Sequence, residues 1–342
     1  MAAQSAGGTA STTQHTGEIS TRTTGAVRMF GWGVLTCLLA FLINNHLNFW
    51  LDWPGAIAPF LNREGGTPAL AWLQLAAYPI AIAIAVVLVI STSMRTLRED
   101  SDRISRINAY IIRAAFFAVL YVGIADAAIS FLRVEGLLPA LVGEEMTLNL
   151  GRSAYRGPYI HMPLVGLGIV TALFTRTLGF TWLALLVVGA ELLIVITRFI
   201  FSYEQAFMGD LVRFWYAALF LFASAYTLIE EGHVRVDVFY SGFNAKTRGW
   251  VNALGSLLLG LTFCWVILIM GMSGKSDVIN SPILAWETTQ TGFGMYVKYL
   301  MAGFLGIFAI SMMIQFVSYM MDSIADLRGE PGGHDHSSHS MA

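Results

Sequence analysis

Five titratable side chains crowd into eight positions of "EEGHVRVDVFYSG": Glu230, Glu231, His233, Arg235 and Asp237. Their types suit a metal site, an acid–base pair or the polar rim of a membrane protein. His233 has carboxylates at i−2 and i+4, which is too few ligands for a closed metal site, and no other histidine lies near it in sequence. No motif supplies an activated nucleophile or an oxyanion hole, so no catalytic residue is assigned and the chain reads as a non-enzyme. His233, Arg235 and Asp237 alternate with Val234, Val236 and Val238, so an extended segment places the three polar residues on one face. Arg235 then suits a lipid phosphate or a partner carboxylate, and Asp237 suits Arg235 or the cap of the next segment.

Two acidic residues sit where charge is costly. Glu191 falls near the middle of an apolar run, where a charge costs about 2.5 kcal/mol or more on insertion scales, so it should be neutral or paired with another helix. An interhelical polar clamp is favoured over an ion or proton relay. Asp126 occupies the outer third of another run and reads as an intramembrane polar contact, with Arg113 snorkelling from the inner end. His46 and His161 make a poor axial pair for haem, and no metal or other cofactor is expected. His334, His336 and His339 lie in a Gly- and Ser-rich tail that reads as flexible.

The elements that position these residues follow from composition. The 342 residues are 56% hydrophobic and 12% charged, against about 25% charged in an average soluble domain. Such a chain cannot cover itself with polar surface. Eight apolar runs predict helices at about 28–50, 69–94, 106–132, 159–175, 178–201, 209–230, 247–272 and 294–321. The fold class is therefore an all-α integral membrane protein. The fourth run is short and contains Pro163, which suits a tilted or re-entrant segment.

With the N-terminus inside, twelve of the twenty Lys and Arg residues fall on the cytoplasmic side, so the expected topology is N-in and C-in. Trp50, Trp53, Trp182, Trp250, Trp286 and Tyr299 lie near helix ends and suit the interfacial belt beside phospholipid headgroups. A net charge of −2 without a large basic block argues against nucleic acid as a partner. Cys37 and Cys264 fall inside spans and read as buried hydrophobes rather than a disulfide.

Three stretches resemble the small membrane subunit, the DctQ-like family, of tripartite ATP-independent periplasmic (TRAP) transporters. They are "VITRFIF" at 195–201, "AYTLIEEGHVRVDVFYSGFNAKTRGW" at 225–250 and "SPILAWETTQTGFGMYVKYLMAGFLGI" at 281–307. Gly232 to Asp237 carries most of the specificity. The resemblance implies that Arg198, Asp210, His233, Arg235, Asp237, Trp286 and Glu287 belong to the family pattern or its partner contacts. It also implies a bacterial inner-membrane scaffold with two partners: a large membrane subunit that moves substrate, and a periplasmic substrate-binding protein. The cargo would be an organic acid or similar solute, taken up with sodium. The chain then divides into a flexible tail (1–26), an extra region of about four helices (27–177), a DctQ-like four-helix domain (178–328) and a flexible His-containing tail (329–342). The other functions weighed are a stand-alone secondary transporter and a membrane anchor of a redox complex. The spans hold no clear pair of broken helices of the kind that builds a substrate site.

Overall fold

The computed structural model of the protein describes residues 9–60, 68–176, 180–203, 206–229, 240, 242–288 and 294–332. His233, Arg235 and Asp237 lie outside the described residues, as do the three tail histidines and the first eight residues. The described residues form helices and connecting turns, and eight of the helices are long and apolar enough to cross a membrane. We number these α1 (Thr9–Trp50), α2 (Pro68–Ser91), α3 (Leu97–Val134), α4 (Ser153–Phe174), α5 (Phe180–Ile200), α6 (Ala206–Ile229), α7 (Lys246–Met272) and α8 (Lys298–Leu327). Each coincides with one predicted run, and the protein is a multi-pass membrane protein.

The differences lie at the ends of helices. α1 is already helical at Thr9, within the stretch that composition assigns to a tail. α3 starts nine residues before its apolar run. Thr96 and Glu99 form a reciprocal capping box there, with Thr96 Oγ1 accepting from the Glu99 N–H at 3.2 Å and Glu99 Oε2 accepting from the Thr96 N–H at 3.1 Å. Glu99 and Asp100 then occupy the first turn, where the helix dipole favours acids. α4 starts before Gly157-Pro158 and widens into a π turn over Gly157–His161, which absorbs the irregularity that proline imposes. Between α3 and α4 the chain makes two short helices, Leu138–Val142 and Glu144–Leu150.

The chain divides into two compact units that are both drawn across helices. The first holds Met1–Ile104, Val236–Leu259 and Phe316–Ala342. In it α1 packs on α2, and Arg28 forms a buried ion pair with Asp100 at 2.7 Å. Arg28 also donates to the Thr92 carbonyl and hydroxyl, and Trp32 Nε1 donates to Asp100. Arg98 reaches both Asp322 and Asp326 at 2.6 Å, and Ser101 meets Ser318 at 2.8 Å.

The second unit holds Ser105–Arg235 and Gly260–Gln315. Its core joins Ile112, Phe116, Val119 and Val122 of α3 to Leu183 and Val187 of α5, Phe214 and Phe222 of α6, and Phe304 of α8. Lipid tails are as apolar as these side chains, so close fit and polar pairs select the arrangement rather than escape from water. Two contacts illustrate this. A Cβ at Gly168 would sit 2.5 Å from the Ala118 backbone nitrogen, so glycine alone allows α4 to approach α3 this closely. Asn108 donates to the Ser311 carbonyl at 2.9 Å and to Gln315 at 3.1 Å.

Candidate functional site

A polar network in the second unit centres on the carboxylate of Asp126 on α3, which is fully buried. Its Oδ1 accepts from Arg156 Nη1 at 2.6 Å and from His161 Nε2 at 3.0 Å. Its Oδ2 accepts from the backbone N–H of Tyr296 at 2.8 Å. Three donors, one of them cationic, are the arrangement that offsets desolvation of a buried carboxylate.

The donors are held in turn. Arg156 donates to the Leu150 carbonyl through Nε and Nη2, at 3.0 and 2.7 Å, and its guanidinium lies 4.3 Å from the centroid of the Tyr296 ring. His161 Nδ1 lies 2.6 Å from the Tyr299 hydroxyl. The assignment that satisfies every group has Nε2–H donating to Asp126 and Nδ1 accepting from Tyr299. With both ring nitrogens engaged, His161 has no free nitrogen for a haem iron. The π turn at Gly157–His161 brings Arg156 and His161 to the same carboxylate.

Family-pattern residues form the next layer. Trp286 packs edge-on against Tyr299 with centroids 5.0 Å apart, and its indole covers Gly157 so closely that a Cβ there would overlap the ring. Trp286 is held at φ 49°, a left-handed conformation that an aromatic residue keeps only where its surroundings over-determine it, at about 1–3 kcal/mol. The Glu287 carbonyl accepts from the Tyr299 N–H at 3.1 Å, and the Glu287 side chain pairs with Lys298. Asp210 Oδ2 accepts from the Met295 N–H at 3.1 Å, and Asp210 lies 3.7 Å from Arg213. Arg133 binds the Gly294 carbonyl at 3.2 Å and the Tyr296 hydroxyl.

The structure therefore gathers Asp126, Asp210, Trp286 and Glu287 around the segment 294–299. It leaves Glu191 and Arg198 apart, both on exposed parts of α5. Tyr299 is a correction to the expected aromatic belt: it is buried, because its hydroxyl finds His161 and its ring finds Trp286. Trp50, Trp182 and Trp250 are exposed, and Trp53 and Trp286 are half-buried.

Arg156 and Tyr296 are not among the site residues read from sequence, where His161 figures only as a candidate haem ligand and Tyr299 only as an interfacial aromatic. The available signal was Asp126 itself, since a buried acid near a span end implies a cation at the same depth, and Arg156 opens the next span. Chemically the cluster is closed. Among the described residues its donors and acceptors answer one another, and the buried Ser130 hydroxyl, 3.4 Å from Arg156 Nη1, belongs to the same network. Its work is to hold the ends of α3, α4 and α8 and the segment before α8 in one geometry.

No curated protein and no solved structure matches the chain. Residues 185–325 match the family model described as tripartite ATP-independent periplasmic transporters, DctQ component. The match spans most of α5 and α8 with all of α6 and α7, and thus includes Asp210, Trp286, Glu287 and the 294–299 segment. Residues 185–325 are thus similar to the DctQ component of the TRAP transporters, and four further apolar helices precede them, of which α3 and α4 supply the acid, the arginine and the histidine of the buried cluster.

Proposed function

We propose that this protein is the small permease subunit of a TRAP transporter and scaffolds the large transport subunit in the bacterial inner membrane. The observation that carries this reading is the DctQ-component match over residues 185–325, coincident with four apolar helices. A scaffold must resist the motion of what it supports, and the buried cluster at Asp126 supports such a role by tying several chain segments to one carboxylate. In this reading a periplasmic binding protein delivers an organic acid or similar solute and sodium drives uptake. His233, Arg235 and Asp237 face the cytoplasm, where they suit headgroup or subunit contacts. Both termini lie on that side, as the charge bias of the loops indicates. The four preceding helices add contact area for the large subunit or for lipid, and α3 also completes the core of the scaffold.

The test is reconstitution. Liposomes holding this protein alone should take up no solute, and co-expression with the large subunit should give a co-purifying complex that transports when the binding protein and sodium are present. Robust uptake by the protein alone would make it a complete transporter instead.

A further inference from the structure

Glu191 is the twelfth of the 21 residues of α5, which puts its carboxyl near the middle of an apolar span. It is exposed, although burial inside the fold was available one turn away. Leu183, Val187 and Ala190 face the core, whereas Leu185, Val188, Leu192, Val195 and Phe199 are exposed. Of the eight spans α5 is the least covered.

An ionised carboxylate at this depth needs a hydrogen-bond donor or a cation, and a neutral one still has an acceptor to satisfy, while acyl chains provide no partner. Among the described residues, the basic groups of α5 and α6 are placed as follows. Arg198 is seven residues along α5, about 10 Å of helix rise away. Arg213 of α6 lies beside Asp210 at 3.7 Å. Gly189, also exposed, has no atom within 4 Å of where a Cβ would stand, so a second backbone can come close at this level.

From these features we infer that the exposed face of α5 docks a membrane-spanning helix of the large subunit, which presents a basic or hydrogen-bond-donating side chain to Glu191 at mid-bilayer depth. This rests on the scaffold reading above and specifies which surface makes the contact and by what chemistry. A second copy of this chain fits less well, because a symmetric contact through α5 sets Glu191 against its own counterpart, and two carboxyls satisfy each other there only when at least one is protonated.

Two measurements on the intact, co-expressed complex test this. The first compares recovery of the large subunit with wild type, Glu191→Gln and Glu191→Leu. A mid-bilayer polar contact corresponds to roughly threefold to thirtyfold in association, so Glu191→Leu should lower recovery by that factor, and Glu191→Gln, which still accepts a hydrogen bond, should lower it less. Glu191→Leu places an apolar side chain on an apolar face, so the variant should remain folded. The second places a photoreactive residue at Leu192. Its cross-link should run to the large subunit and weaken in the Glu191→Leu background. Cross-links to a second copy of this chain, or to lipid alone, overturn the inference. So does unchanged recovery with Glu191→Leu, an outcome that leaves the scaffold function standing. If wild type recovers no large subunit at all, the scaffold function falls and the docking face with it.

Discussion

Two buried aspartate–arginine pairs, one in each compact unit, resemble one another in chemistry and differ in completeness. Asp100 accepts from Arg28 and Trp32 through Oδ2 alone, and its buried Oδ1 takes no hydrogen bond from the described residues. Asp126 uses both oxygens and collects Arg156, His161 and the Tyr296 backbone. The first pair joins α1 to α3 and, through Thr92, to the end of α2. The second joins α3 and α4 to the segment that leads into α8. A pair with spare acceptor capacity acts as a local pin, and a pair with none acts as a hub.

The difference is open to direct attack by mutation, with thermal unfolding in detergent or nanodiscs as the measure. Asp126→Ala should have the largest effect, about 3–5 kcal/mol, because it strands the Arg156 charge and two other donors in the interior. Asp100→Ala should cost less, about 1.5–3 kcal/mol, since Arg28 keeps the Thr92 carbonyl and hydroxyl. Equal losses would remove the distinction between pin and hub.

Replacing both members of a pair sharpens the contrast. Arg28→Met with Asp100→Leu should come within about 1 kcal/mol of the native protein, as apolar replacements of simple buried pairs often do. Arg156→Met with Asp126→Leu should stay clearly destabilised, because the Tyr296 N–H, His161 and the Leu150 carbonyl would each lose a partner. The smallest expected effect is that of Tyr299→Phe, about 0.5–1.5 kcal/mol for one hydrogen bond. A loss as large as that of Asp126→Ala would show that the Tyr299 hydroxyl is a principal support of the hub.

Much of the site escaped the sequence for an identifiable reason. Asp126 could be singled out because an acid inside an apolar run is costly wherever it points. Arg156 could not, because at the border of a span an arginine is equally at home in a headgroup layer. Tyr299 matched the interfacial belt by position, and only its contacts with His161 and Trp286 turn it inward. Trp286 and Glu287 were marked by the family pattern, which carries no information about their neighbours. Glu191 is the converse case: sequence marks it as neutral or paired with another helix, and the fold leaves that carboxyl exposed.

From the sequence alone follow the membrane class, the number of spans and most of their limits, because bilayer thickness turns local composition into helix length. The likeness to a TRAP small subunit is also a property of linear pattern. Tertiary structure decided which charges meet and which helix faces remain uncovered. It also built α3 into the core beside α6 and α8. Those outcomes depend on helix rotation and on contacts between residues as far apart as Asp126 and Tyr296. In a bilayer, where apolar surface gains little by choosing protein over lipid, local composition carries almost no information about either.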